Sequence, residues 1–288
     1  MKIIAKPIGL PSVDEITKEN ISKSQLGQKL ITLIEEGIEN KFLAYKSVND
    51  CLKKFCGQMQ MGTCYGQASA VIIADHHTHK DTTKQLVENA SKLDVICYQI
   101  FSNLEAVLRQ SVSVKRNLKK IENKLDNAKS KEVKKLKKEK NNMKKLIKFE
   151  KEHYNIPIKN LHTKAIPDVE QFCKKISHIG RSILEEKSQY TYIAKEQISF
   201  DKTRKFIALI KKLQQKEDKI ALRVLFFPKN NVCHAVTFFP THRLAIYDAN
   251  KGLVQANTKK EFVKHLKQSF NNLHHKSGEI TVEIFKMD

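Results

Sequence analysis

No run of apolar residues in the 288-residue chain is long enough to cross a bilayer. The longest reach about six, as in Ala68 to Ala74 interrupted by Ser69, against the roughly 18 to 20 that a spanning helix needs. A membrane span is therefore excluded. The chain opens Met1-Lys2-Ile3-Ile4-Ala5-Lys6-Pro7 and reaches Asp14 without a sustained apolar stretch or a small-residue cleavage site, so no cleavable signal peptide is expected. Cysteine is sparse: the six thiols, Cys51, Cys56, Cys64, Cys97, Cys173 and Cys233, fall far below the density of a disulfide-stapled small domain. A reducing compartment is the simpler expectation. Acidic residues are also few, 31 against 53 lysines and arginines, which leaves a formal charge of +22. What remains is 40% hydrophobic, enough to bury the core of one or two domains and too much for a disordered tail.

The charge is concentrated. Lys115 to Lys151 carries 16 basic residues against 5 acids, a net +11, and the other 251 residues carry the remaining +11. An electrostatic partner is therefore to be sought first at the basic segment. Within it, Val114, Leu118, Ile121 and Leu125 form one apolar stripe, and Val133, Leu136, Met143 and Ile147 a second, with a slip of phase near Asn127 to Lys131. The slip predicts either two antiparallel helices joined by a small turn or one irregular projecting helix. The plain reading is a solvated arm packed by its stripe. An acidic membrane surface or a partner protein at Lys115 to Lys151 is the functional alternative, because lysine stems cover apolar surface while their ammonium groups meet anions. Nucleic acid is disfavoured by the lack of aromatic interleaving and of any base-reading module.

Elsewhere, helical spacing of Leu26, Leu30, Leu33 and Ile34 stops near Gly37, and a second helix is expected over Ala44 to Cys56. A tight loop, Gly57-Gln58-Met59-Gln60-Met61-Gly62-Thr63, then leads into a buried helix starting near Cys64. A longer helical tract is read from Leu86 to Leu108, and further helices over Asp168 to Glu186 and Asp201 to Gln215. The pattern then changes to short β-branched and aromatic runs, Ala221 to Phe227, Val232 to Phe239 and Leu244 to Asp248, separated by Pro228-Lys229-Asn230-Asn231 and Pro240-Thr241-His242. These predict a hairpin-connected antiparallel sheet, completed by a helix near Lys259 to Leu273 and a strand near Glu279 to Phe285. The expected class is α+β, divided into an N-terminal helical extension (1–40), a helical lobe (41–110), a lysine-rich insertion or hairpin (111–155) and a region of helices and strands (156–288).

Cys64 stands between Gly62 and Gly66 at the expected mouth of a buried helix, where unpaired backbone N–H groups and the positive helix end lower a thiol pKa. Out of context, a cysteine among apolar residues is more often an inert small hydrophobe. His234 lies in Cys233-His234-Ala235-Val236-Thr237-Phe238-Phe239, and Asp248 ends Leu244-Ala245-Ile246-Tyr247-Asp248. Alternation puts His234, Val236 and Phe238 on one strand face and Leu244, Ile246 and Asp248 on one face of the next, so sheet pairing can bring imidazole and carboxylate together. An imidazole can take the thiol proton while a carboxylate fixes its tautomer and stabilises the imidazolium. The bland alternative is a hydrogen-bonded sheet histidine and an ordinary Asp-Ala-Asn turn.

Three segments, Gly62-Thr63-Cys64-Tyr65-Gly66, Cys233-His234-Ala235-Val236 and Tyr247-Asp248-Ala249-Asn250-Lys251-Gly252, resemble the papain-like cysteine protease superfamily, and more closely its YopT-type bacterial effector proteases with their Cys, His, Asp order. The resemblance covers about 40–110 and 160–285. It implies a papain-like helical lobe plus a β-sheet lobe, with Cys64 as nucleophile, His234 as base and later acid, and Asp248 as its orienter. It further implies that an amide shortly before the nucleophile helps stabilise the oxyanion. Gln58, six positions upstream, is the best match and Gln60 the second. A protein substrate and delivery into a host cell belong to the same implication, whereas peripheral membrane association is expected only from the basic segment. The chain departs from the pattern in the 170-residue separation of Cys64 and His234, where the basic segment resembles an insertion, and in having no tryptophan, so that Tyr65 stands where an aromatic neighbour follows the papain nucleophile.

The expected reaction is hydrolysis of a peptide bond through a thioester acyl-enzyme. The same groups would serve a glutamine deamidase or transglutaminase, and a non-catalytic membrane or protein adaptor built on the basic segment is the contrasting class. No cofactor is called for. Asp248-Ala249-Asn250-Lys251-Gly252 fails as a calcium loop, with glycine fifth and Lys259 twelfth. His76, His77 and His79 lack a completing cysteine pair, and Gly57, Gly62 and Gly66 lack the lysine and strand context of a phosphate loop.

Overall fold

The computed structural model describes residues 3–9, 15–57, 63–78, 83–154, 165–199, 203–228, 234–272 and 278–287. Its elements are, in order, β1 (Ile3–Ala5), α1 (Lys18–Ile21), α2 (Gln25–Glu39), α3 (Val48–Gly57), α4 (Cys64–His77), α5 (Gln85–Glu88), α6 (Lys92–Asp126), α7 (Ser130–Tyr154), α8 (Ile166–Ser188), β2 (Tyr190–Ser199), α9 (Thr203–Leu213), β3 (Ile220–Pro228), β4 (His234–Phe239), β5 (Ala245–Asp248), β6 (Gly252–Gln255), α10 (Lys259–Asn272) and β7 (Gly278–Met287). The class is α+β, with one seven-stranded sheet in the order β1-β6-β5-β4-β3-β7-β2, antiparallel throughout. Two compact units divide the chain: the first holds 1–12, 59–99 and 180–288, the second 13–58 and 100–179.

The first unit contains the whole sheet, which is covered on both faces. Leu222, Val224, Val236, Phe238, Ile246, Val282 and Ile284 project to one side, where Phe206 and Ile210 of α9 and Phe262 and Leu266 of α10 bury them. The strand period of two sends Leu225 and Ala235 to the other side, against Ala68 of α4. A run of small and branched residues makes α4 buried nearly all round: Ala68, Ala70, Val71, Ile72 and Ala74 are each at most 2% exposed. Gly66 is required there. A Cβ at this position would lie 1.9 Å from the Val95 carbonyl oxygen, so any side chain would push α4 away from α6.

The second unit is helical. Thr17 and Ser24 cap α1 and α2, each hydroxyl accepting a backbone N–H three residues on. Leu26, Leu30, Leu33 and Ile34 form the buried stripe of α2 at the expected spacing. The basic segment is two helices: α6 ends at Asp126, the chain turns over Asn127 to Lys129, and α7 folds back so that Lys140 Nζ meets Glu122 Oε1 at 2.9 Å. This resolves the phase slip in favour of a hairpin, with Leu118, Ile121 and Leu125 of α6 and Val133, Leu136 and Met143 of α7 half-buried.

Candidate active site

The geometry around Cys64 follows from α4 lying along β4 in the same direction. From Cys64 to Asp75 the helix rises roughly 16 Å, and the five steps from His234 to Phe239 span roughly 17 Å of strand. The two elements therefore begin and end together. Between their ends, Thr237 Oγ1 donates to the Ala68 carbonyl oxygen at 2.8 Å.

At the leading end, Cys64 is the first helical residue and half-buried. Thr63, the cap position, makes no side-chain bond to the helix amides, and no acid stands in the first turn. Its hydroxyl instead accepts from Gln67 Nε2 at 2.8 Å, and the side-chain Oε1 of Gln67 accepts from Tyr247 OH, which itself accepts the Ile8 N–H at 3.1 Å. Gln99 Oε1 accepts the Gly66 N–H at 3.1 Å. These bonds fix the loop-to-helix junction without placing a carboxylate against the positive helix end.

His234 opens β4 and Asp248 closes β5. Asp248 is paired with Val236 across the two strands, so His234 is its diagonal neighbour on the same face. His234 Nε2 lies 3.1 Å from Asp248 Oδ1, and the same oxygen accepts the Asn250 N–H at 2.8 Å in the turn that follows. Strand alternation assigns both residues to the face opposite α4. Both stand at the ends of their strands, and Cys64 and His234 share a side-chain hydrogen bond. With Nε2 engaged by Asp248, Nδ1 is the nitrogen left for sulfur.

Electrostatics favour the charged ring. Burial is the largest influence on His234 and by itself favours the neutral form, but hydrogen bonds and charge from Asp248 and Cys64 outweigh it and raise the pKa to about 9. Burial likewise works against ionised Asp248, and His234, the Asn250 N–H and Lys251 together hold its carboxyl below the usual range. Cys51, Cys56 and Cys173 are buried thiols away from the site. Desolvation pushes Cys56 up to about 12 and Cys173 to about 11, and raises Cys51 further with help from Cys56 and Asp50. Those three are packing residues.

Two polar groups behind the site escaped the sequence reading. Arg223, buried in β3, stacks 4.3 Å over the Tyr65 ring while its Nε donates to Glu283 Oε2 at 2.7 Å and its Nη1 to Ser69 Oγ at 2.6 Å. At the far end of α4, buried Asp75 receives Tyr190 OH at 2.5 Å on Oδ2, His242 Nε2 at 2.8 Å on the same oxygen, and Arg243 Nε at 2.8 Å on Oδ1. Arg243 Nη2 also donates to the Thr78 carbonyl oxygen at 2.7 Å. The available signals were an arginine within the apolar run of β3 and an aspartate closing Ala70-Val71-Ile72-Ile73-Ala74, both out of place unless paired.

The structure thus brings Cys64, His234 and Asp248 together; Gln58 and Gln60 lie outside the described residues. Among the described residues, no group of three or more His, Cys, Asp or Glu side chains is arranged to hold a metal ion, and no helix is long and apolar enough to cross a membrane. No family model matches the chain and no curated protein is similar to it. Among solved structures the chain is similar to the avirulence protein AvrPphB of Pseudomonas, at 10% identity and a TM-score of 0.39, over 79% of this chain and 93% of that one.

Proposed function

We propose that the protein is a papain-like cysteine protease that hydrolyses a peptide bond of a protein substrate. The observation that carries this reading is the imidazole of His234, held by Asp248 on one side and hydrogen-bonded to Cys64 on the other, at the start of a helix with no side-chain cap. In the proposed reaction His234 holds the thiol proton as imidazolium and Cys64 sulfur attacks the carbonyl carbon. The oxyanion takes hydrogen bonds from the Cys64 N–H and, as the motif resemblance implies, from the Gln58 amide. The imidazolium then protonates the leaving amine and becomes the base that activates water to cleave the thioester. Asp248 stays ionised and holds the ring in position. From the same resemblance we propose an effector role on a host-cell protein.

The test is incubation of the wild type and Cys64→Ala with lysate of a candidate host cell, followed by mass spectrometry. New peptide termini with the wild type alone are the expected result. Conversion of glutamine to glutamate, or joined peptides, would replace proteolysis by deamidation or transamidation at the same thiol. No covalent change with either protein would contradict an enzyme acting on that proteome.

A further inference from the structure

Part of the lysine content of α7 is gathered on one side of the helix, with exposed Lys135 beside it. Lys134, Lys137, Lys138, Lys144 and Lys145 line one side together with Asn141 and Asn142, and all five are exposed. Their separations of three, four, seven, ten and eleven residues are those that keep a helix face in register. Leu136 and Met143 turn away from them, half-buried in the hairpin, and Lys140 is taken by Glu122. The acids of the stretch stand off this face: Glu132 is two residues from Lys134, and Glu139 two from Lys137, a separation that points side chains apart. Lys134 to Lys145 span roughly 17 Å. Neighbouring charges fall within about one screening length, ~8 Å in physiological salt, so the face acts as a single positive strip.

We infer that this strip docks the protein on an anionic phospholipid surface. It offers five ammonium groups and two amides, with no arginine, aromatic or apolar side chain, so it has nothing to insert between acyl chains or to stack on a base. Such a strip binds by charge alone. A fluid bilayer fits it better than a nucleic acid duplex does, because mobile anionic headgroups gather beneath a fixed row of charges whereas duplex phosphates keep their own pitch. The hairpin would hold the protein at a membrane surface without any spanning segment, and the reading is independent of the chemistry at Cys64.

The test is sedimentation of the full chain with vesicles of phosphatidylcholine alone or containing about 30 mol% phosphatidylserine, in roughly 0.15 M salt. Retention on the anionic vesicles only is expected, weakening by about a thousandfold or more when the five lysines become glutamine, since each lysine at such a surface contributes roughly a fivefold gain. A second variant removes five exposed lysines elsewhere, Lys46, Lys53, Lys205, Lys211 and Lys264, and so loses the same net charge. It should bind nearly as wild type, with circular dichroism confirming that both variants fold. Equal loss in the two variants, equal retention on neutral vesicles, no retention on anionic vesicles, or tighter binding to a duplex oligonucleotide in the same buffer would each overturn the inference.

Discussion

The two ends of α4 are built in opposite ways. Its last turns are anchored by a carboxylate, Asp75, that is 1% exposed and receives a tyrosine, a histidine and an arginine, with Arg243 also taking the Thr78 carbonyl. Cations there also suit the negative end of the helix dipole. The first turn has no side-chain cap and no acid, and its first residue is a half-buried thiol bonded to an imidazole. One end therefore holds the helix against the sheet while the other presents the proposed nucleophile. A capping carboxylate at Thr63 would add helix stability and repel the thiolate that the proposed reaction uses.

The sharpest break between the ends is functional. Cys64→Ala should lower turnover by on the order of 10^4 or more and change the unfolding free energy by less than about 1 kcal/mol; comparing kinetics with denaturant titration checks both. Asp75→Ala should do the reverse, costing about 3 kcal/mol because it removes a buried carboxylate on which a half-buried arginine and histidine converge. Its denaturant midpoint measures that. A cost below about 1 kcal/mol would mean the far end is no anchor. Asp75 is also held below the usual carboxylate range, burial opposing and His242, Tyr190 and Arg243 prevailing. Its contribution is thus present above the ordinary aspartate value and lost as pH falls.

The smallest effect concerns pH at the reactive end. His234 has a folded pKa near 9, above its ordinary value of 6.5, so the stabilisation it supplies is complete below 6.5 and disappears as pH rises through 9. The same deprotonation removes the acid that the leaving amine needs. kcat/KM should therefore fall about tenfold per pH unit above 9, and Asp248→Asn should move that limb downward. A limb that stays in place in the variant would detach Asp248 from the ring.

Much of this arrangement is legible in the residues. The change from loop glycines to Ala68-Ser69-Ala70-Val71 marks the start of α4, and alternation in Cys233 to Phe239 and Leu244 to Asp248 puts His234 and Asp248 on one face. Alternation cannot show that this face is the one away from α4, nor that Cys64 lies within reach of the ring, because both depend on how α4 packs on the sheet. The strands that escaped are those whose pattern is diluted. In β2, an edge strand, Lys195, Glu196 and Gln197 are exposed and a register shift between Tyr192 and Ala194 interrupts the period. β6 has only four residues and starts at Gly252, whose φ of 95° reads as a turn and whose missing side chain lets the Ala5 carbonyl approach. The helical tract from Leu86 to Leu108 is broken over Asn89 to Ser91, where Ser91 Oγ accepts the Asp94 N–H and starts α6 afresh. The partners of Asp75 lie more than a hundred residues away, and no local pattern can select them.

The central claim is that Cys64 is made reactive by His234. The direct measurement is the rate of alkylation of Cys64 by a small neutral electrophile at neutral pH, read by peptide mass spectrometry in the wild type and in folded His234→Ala. The account predicts rapid labelling of Cys64 that falls to the rate of an ordinary thiol in the variant. Labelling of Cys64 that is as slow as that of buried Cys97, or that is unchanged without the imidazole, would contradict it.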